Sequence, residues 1–413
     1  MGRCRKQDSL LSYQMKKRIF ISIHYLELGG AEISLIGLLQ ALDCSKYEVD
    51  LFVHRHQGEL MQFIPKEVNL IPEISAYSCI ECPIIEALFK RQFFVAFGRL
   101  KAKWRARKYQ ANDPSKPQYA IYQYIAQEVE PHLPSLKKYG EYDLAISFLQ
   151  PHNYVLSKVK AKKKACWIHT DYTKVEFDAE AELPIWSAYD HIVSISSDVT
   201  KSFLQVFPSL NDKIVKIENI LSSDFVRKRA GEKIVSAEMP KKDGFVNVLS
   251  VGRFTDAKNY DNVPNICRRI REKGIDLRWY IIGFGNDTLI RQKICEAGMG
   301  DYVIILGKRA NPYPYIKACD IYVQPSRYEG KSVTVREAQI LCKPVIVTDY
   351  PTAKSQVQDG VDGKIVPMAN EGCALGVVDF IKDRVLQHQI VDFLQSNDYG
   401  NIDEVHKIDM LLK

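Results

Sequence analysis

Two glutamates, Glu329 and Glu337, bracket seven residues in the run Ser326-Arg-Tyr-Glu-Gly-Lys-Ser-Val-Thr-Val-Arg-Glu-Ala338. The first acid precedes a glycine, on a loop after an apolar strand expected at Ile321 to Val323. The second lies just over one turn into the helix that follows. The pattern predicts that the N–H groups of Ser332, Val333 and Thr334 form an open helix N-terminus between the two acids. Such a terminus favours phosphate, because its first N–H groups lack partners and the positive end of the dipole points outward. Carboxylates beside a phosphate cradle suit hydroxyls rather than phosphate. The stretch therefore reads as part of a cleft for a sugar–diphosphate–nucleoside.

Three other groups of residues bear on that chemistry. Gly252-Arg253-Phe-Thr-Asp-Ala-Lys258 follows an apolar strand, so Arg253 and Lys258 could converge on one dianion, the first as a planar fork and the second as a point charge. Taken alone they could equally be solvated loop residues; the acidic run about seventy residues on, at the same sheet edge, favours the cleft. Two glycine pairs, Gly29-Gly30 and Gly283-Phe284-Gly285, follow strands and are read as places of close backbone approach to a ligand or as plain turns. The second is not a full dinucleotide fingerprint, since Thr288 stands where a third glycine is needed. His169 ends the strand in Trp167-Ile-His, placed to bond a sugar hydroxyl or shield developing positive charge, or to serve structure alone.

Strands and helices must alternate to position these groups. In the first half, apolar strands are expected at Arg18–His24, Val49–Val53, Leu144–Phe148, Ala165–Ile168, Ile192–Ile195 and Ile214–Ile217. Leu35, Leu38, Leu39 and Leu42 mark an amphipathic helix after the first. In the second half strands are expected at Val246–Val251, Leu277–Ile282, Val303–Leu306, Ile321–Val323 and Val345–Val347. Alternation implies parallel sheets wrapped by helices, with ligands beyond the carboxyl ends of the strands. At 413 residues two domains are expected: residues 1–221, a polar linker over 222–244, a second domain over 245–385, and a helical tail over 386–413 that could pack back on the first domain.

A net charge of +7 is modest for this length and does not by itself call for nucleic acid. The ten cysteines are scattered, many through apolar segments, as reduced core thiols are. The pair Cys79 and Cys82 has no second pair to complete a zinc site, and His54 and His56 are too isolated to bind a metal. No run of eighteen apolar residues is present, the residues before Arg18 are polar, and Lys6 stands where a myristoylation signal needs Ser or Thr. A cytoplasmic protein is expected. Residues 90–108 hold eight Lys or Arg and no acid, with Phe93, Phe97, Leu100 and Trp104 on one helical face. That helix either meets an anionic membrane surface or packs its stripe on its own domain.

The run Glu329-Gly-Lys-Ser-Val-Thr-Val-Arg-Glu337-Ala, followed by Lys343-Pro-Val-Ile-Val-Thr-Asp349, resembles the motif of retaining family-4 glycosyltransferases. Gly29-Gly-Ala-Glu32, Trp167-Ile-His169 and Gly252-Arg253 with Lys258 fit the same family in order, so the resemblance spans about residues 18 to 370. It implies an α/β GT-B architecture, two Rossmann-like parallel-sheet domains facing a central cleft. It also implies a nucleotide-diphospho-sugar co-substrate held without metal or other cofactor, and retention of anomeric configuration. By position, Arg253 and Lys258 would hold the diphosphate, Glu337 the ribose, Glu329 the hexose, and His169 the sugar near its reacting carbon. Gly29, Gly30, Gly283, Gly285, Ser332 and Val333 would complete the donor site. Lys331 departs from the bulky apolar residue common there and resembles a subgroup of surface-polysaccharide enzymes; it would reach the donor phosphate or sugar. The acceptor implied is a lipid-linked saccharide. A non-catalytic glycosyltransferase-like subunit and a same-fold nucleotide-sugar epimerase are the alternatives.

Overall fold

A computed structural model describes residues 16–27, 29–112, 120–173, 175 and 177–413. The readings of leader and lipid-attachment signals rest mainly on residues up to 15, outside the described ones. Two parallel sheets organise the chain. The first contains β1 (Lys17–Ile23), β2 (Tyr47–Val53), β3 (Asn69–Leu70), β4 (Glu141–Ser147), β5 (Lys160–Ile168), β6 (His191–Ser194) and β7 (Ile214–Lys216). The second contains β8 (Val246–Val251), β9 (Leu277–Ile282), β10 (Val303–Gly307), β11 (Ile321–Gln324), β12 (Val345–Thr348) and β13 (Lys364–Val366). Every pairing between these strands is parallel. The strands read as continuous apolar runs because helices cover both sheet faces. The last five residues of β1 are all buried, as are all four of β11 and of β12.

Strand order explains where a ligand can enter. The first sheet runs β3-β2-β1-β4-β5-β6-β7 and the second β10-β9-β8-β11-β12-β13. The chain therefore reverses direction between β1 and β4, and again between β8 and β11. Connections leave such a point on opposite faces and open a crevice at the strands' carboxyl ends. Gly29 and Gly30 follow β1, His169 follows β5, Arg253 and Lys258 follow β8, and Glu329 follows β11.

The polar segment expected as a linker differs from that expectation. Residues Ser223–Ala230 form a helix whose N-cap, Ser222, accepts a hydrogen bond from the Phe225 N–H at 3.2 Å. Val226, Ala230, Val235 and Met239 are buried in the second domain's core. The Lys and Glu residues that made the segment look solvated form its outer face. The tail divides its contacts. Helix Arg384–Ser396 packs Ile390 and Leu394 into the second domain, whereas Val405, Ile408 and Leu411 return to the first domain's core. Leu221 N–H donates to Asn401 at 2.9 Å and Glu218 N–H to Glu404 at 2.9 Å, binding the crossover to the tail.

Candidate active site

The loops after β8 and β11 are fastened to each other. Asn259 sits in the left-handed region (φ 59°), which asparagine tolerates better than most residues, and its Nδ2 donates to the Pro325 carbonyl at 2.8 Å. Arg327 grips both carboxylate oxygens of Asp261, at 3.0 and 2.8 Å, and its N–H donates to the Ala257 carbonyl at 2.8 Å. These contacts bring Lys258 to Glu329. The ammonium donates to Glu329 Oε1 at 2.6 Å, and Ser326 Oγ (2.6 Å) and Gln324 Nε2 (3.1 Å) donate to the same oxygen. The family resemblance gave these two residues separate tasks, the diphosphate to Lys258 and the hexose to Glu329. The structure joins them as one ion pair, in which Glu329 fixes the direction of the lysine.

The helix over Val333–Ile340 opens onto the cleft, but not with three free donors as expected. Ser332 N–H is taken by Gln356 Oε1 at 2.9 Å, and Gln356 Nε2 donates back to the Ser332 carbonyl. That leaves the N–H groups of Val333 and Thr334, which as the first helical residues have no intrahelical acceptor. Glu337 follows one turn later, fully buried. Tyr313 donates its hydroxyl to Oε1 at 2.8 Å, while Oε2 has no partner. Burial pushes this carboxyl up to about 7, against the pull of the Tyr313 hydrogen bond and Arg229.

Lys331 lines the cleft, yet its ammonium is committed elsewhere. It donates to Glu218 Oε2 at 2.5 Å, and Arg336 reaches the same oxygen at 3.1 Å. Glu218 lies just beyond β7, so the trio ties the two domains together beside the crossover. In this structure a short, largely buried ion pair holds the Lys331 charge on Glu218, although the residue lines the cleft as expected.

The first domain supplies the facing wall. Gly29 is the N-cap of the helix over Gly30–Ala41, and a Cβ there would lie 2.1 Å from Glu32 Oε2. Across the cleft, a Cβ on Gly30 would meet Val333 Cγ2 at 3.4 Å, so the two helix starts face each other. His169 Nε2 donates to the Phe148 carbonyl at 2.9 Å. A carbonyl only accepts, so Nε2 carries the proton and Nδ1 is an acceptor with no partner. Burial pulls this imidazole down to about 4, partly opposed by the Phe148 carbonyl, so it is neutral near pH 7. Arg253 lines the cleft; its carbonyl accepts from the Thr255 N–H at 2.9 Å, and its guanidinium has no hydrogen bond or ion pair to any described residue. Gly283 also lines it, but its lack of a Cβ serves packing, since one would lie 2.1 Å from the Gly252 carbonyl oxygen. Gly285 is a correction: it is absent from the cleft wall, and its positive φ (121°) serves a bridge to Phe254.

Gly29, Gly30, His169, Arg253, Lys258, Gly283, Glu329, Lys331, Ser332, Val333 and Glu337 line one cleft of about 570 Å³ between the domains, a volume in the range of ligand sites. Residues 232–408 match the sequence model for Glycosyl transferases group 1. Among relatives, an uncharacterized glycosyltransferase of Methanocaldococcus jannaschii is 27% identical over 41% of this chain and 42% of its own length. A Campylobacter jejuni protein named as an N-acetylgalactosaminyltransferase acting on a diacetylbacillosaminyl-diphospho-undecaprenol is 32% identical over 32% of this chain and 35% of its own. The chain thus matches only about two-fifths of the length of these curated relatives. Among solved structures, Anabaena Alr3699/HepE in complex with UDP and glucose superposes with a TM-score of 0.66 at 15% identity, over 96% of this chain and 99% of that one. The architecture is GT-B, two facing Rossmann-like domains.

Both domains also contain cleft residues that sequence reading missed. Glu32 lies on the wall beside Gly29, and burial raises its carboxyl while Arg253 opposite pulls it down. It sits within the quoted Gly-Gly-Ala-Glu run, so the signal was available. Tyr25, Asp171 and Lys308 also line the cleft. Lys308 pairs with Glu59 of the first domain at 2.8 Å, a contact between loops that no periodicity announces. Asn259 and Arg327 act from outside by holding the Lys258 loop.

Proposed function

We propose that the protein transfers a sugar from a nucleotide-diphospho-sugar to an acceptor hydroxyl, with retention of configuration, during assembly of a surface polysaccharide or glycolipid. The observation that carries this reading is the convergence in one cleft of Arg253, Lys258 and the Val333–Thr334 helix start with the carboxylates Glu329 and Glu337. The cationic groups and helix start suit a diphosphate, and the acids suit hydroxyls on the rings at either end. Glu337 Oε2 and His169 Nδ1 are acceptors without partners, aimed at by no protein donor, which is what hydroxyl recognition needs. The Anabaena structure with UDP and glucose and the Campylobacter relative named for a polyprenyl-diphosphate-linked acceptor support the choice of donor and acceptor class.

In the proposed reaction the bond between the anomeric carbon and the diphosphate oxygen breaks, and the diphosphate leaves with the electron pair. Arg253, Lys258 and the helix start stabilise that charge where it develops, without a metal. The acceptor oxygen attacks from the face the diphosphate leaves. Its proton passes to the departing phosphate oxygen, so no protein base is needed. His169, neutral, orients a hydroxyl of the transferred sugar through Nδ1. Entry of the donor diphosphate replaces Glu329 as the partner of Lys258 and frees that carboxylate for the hexose. The protein works in the cytoplasm at the inner membrane face, where a lipid-linked acceptor is presented.

The test is incubation of purified protein with nucleotide-diphospho-sugars of each base, with release of nucleoside diphosphate as the readout. Release that persists in EDTA, and a product whose anomeric proton coupling matches the donor's, are expected. Release of an altered sugar nucleotide without acceptor would identify an epimerase, and no turnover with retained donor binding would identify a non-catalytic subunit.

A further inference from the structure

The helix over Phe93–Asn112 packs on its own domain through the side opposite its apolar stripe, which leaves the stripe exposed. Val95 and Ala102 are buried against the helix over Ala120–Val129, and a Cβ on Gly98 would lie 2.7 Å from the Glu128 carbonyl oxygen. At 100° per residue Phe93, Phe97, Leu100 and Trp104 fall within an arc of about 60° on the opposite side. All four are exposed, Trp104 by 64%. The short helix before it, Ile84–Phe89, packs against this one and also exposes Ile85, Leu88 and Phe89, the last by 83%. A helical face with four large exposed apolar side chains, beside a neighbouring helix that exposes three more, marks an interaction surface.

Charge decides what covers it. Lys101 and Arg105 are neutralised by Glu128, at 2.6 and 3.1 Å. Arg91, Lys103, Arg107 and Lys108 form no ion pair with any described residue. Arg91 precedes the helix; on it, Lys103 and Arg107 lie on one side of the stripe with stems able to run beside the apolar side chains and charges reaching outward, and Lys108 lies on the other with its ammonium 5.5 Å from the centre of the Trp104 ring. Aromatic and aliphatic side chains between unpaired cations fit the boundary of an anionic bilayer. A second copy of the chain would bring the same cations against one another.

We infer that Ile85–Lys108 is a docking surface for an anionic lipid bilayer, with Phe89, Phe93, Phe97, Leu100 and Trp104 inserted among the acyl chains. This deepens the membrane part of the proposed function. The surface also has a physical link to the cleft. Glu81, just before it, pairs with His24 at 3.2 Å, and the next residue, Tyr25, lines the cleft wall. Docking there brings the first-domain side of the cleft to the surface that presents lipid-linked acceptors.

Tryptophan fluorescence tests the inference directly. The chain has four tryptophans, and Trp167, Trp186 and Trp279 are buried, so Trp104 dominates the solvent-quenchable emission. Vesicles of phosphatidylcholine with phosphatidylglycerol should shift that emission to the blue, protect it from acrylamide and sediment the protein. Phosphatidylcholine alone should do so at least tenfold less well. The variants Phe93→Ser/Phe97→Ser and Lys103→Glu/Arg107→Glu/Lys108→Glu should each lower sedimentation with anionic vesicles by at least tenfold, with unchanged circular dichroism. Lys258→Ala should dock normally, which separates this surface from the transfer reaction. An exposed Trp104 in the presence of anionic vesicles would overturn the inference. So would protection that grows with protein concentration in the absence of lipid, which would assign the surface to a partner copy.

Discussion

Replacing Glu337 by Gln should make the protein more resistant to alkaline conditions while weakening its hold on nucleotide. The carboxyl is fully buried, one oxygen lacks a partner, and burial raises it from 4.5 to about 7. A folded-state value above the unfolded one means that the folded protein holds the extra proton between those limits. Stability from this group is therefore fully present below pH 4.5 and is lost as pH rises through about 7. A shift of that size corresponds to about 3 kcal/mol at 1.36 kcal/mol per unit. Glutamine keeps the acceptor for Tyr313 but carries no charge at any pH. The difference in unfolding free energy between Glu337→Gln and wild type should then grow by about 3 kcal/mol between pH 4 and pH 8.5. Urea unfolding of both proteins across that range measures it. Ligand binding gives an independent reading. Ribose hydroxyls donate to the carboxylate and favour its charged form, so binding should expel its proton. With a value near 7, about 0.9 proton should leave at pH 6 and almost none at pH 8.5. Titration calorimetry in buffers of different ionisation enthalpy counts that proton, and Glu337→Gln subtracts protons from the nucleotide itself. Parallel stability curves for the two proteins, with equal proton release, would show that Glu337 is charged in the free protein and would refute the reasoning.

Other expectations follow from the same geometry. Lys258→Ala should lower turnover by about a hundredfold or more, as loss of an electrostatic contact to the leaving group does; steady-state kinetics at saturating donor measures it, and wild-type turnover would remove Lys258 from the site. Glu218→Ala leaves Lys331 and Arg336 largely buried without a counter-charge and should cost about 2 kcal/mol, less than a fully buried pair because all three retain some exposure. Burial raises the Glu218 carboxyl but Lys331 and Arg336 outweigh it, so its folded value is depressed. Its stabilising contribution is thus present above the unfolded value and fades as pH falls through the folded one, and a pH series of unfolding curves should show the variant losing less stability in acid. Burial holds His169 near 4, so the kcat profile between pH 5.5 and 8 should be the same in His169→Asn apart from a constant factor. An inflection near 6.5 that vanishes in the variant would mean that the imidazole titrates in the open.

What the sequence disclosed was mostly what depends on local order. β8 and β9 have the bounds their apolar runs suggest, and Glu337 lies one turn into its helix because the spacing from Ser332 leaves no other place for it. The short edge strands β3 and β13, two and three residues long, carry too few apolar positions to stand out. Long-range pairing was hidden. Nothing in the chain announces that Lys258 bonds Glu329 seventy-one positions away, or that Lys331 turns to Glu218 across the crossover. Both depend on loops fixed by Asn259, Arg327 and Gln356, which have no chemistry of their own to draw notice. The segment 222–244 looked solvated because its charges outnumber its apolar residues, yet Val226, Ala230, Val235 and Met239 are enough to bury one side. Periodicity also found the stripe on Phe93–Asn112 but could not say which side faced inward. That was decided by Gly98 and Ala102, whose small side chains let the opposite side approach its neighbour.

The most direct measurement is a calorimetric titration of the purified protein with the nucleoside diphosphates of each base, repeated with Arg253→Ala and Lys258→Ala. At least one base should bind wild type measurably and raise its melting temperature, with affinity falling at least tenfold in each variant. Failure of every nucleoside diphosphate to bind, or equal binding when both cations are removed, would contradict the assignment of this cleft to a diphosphate-linked sugar.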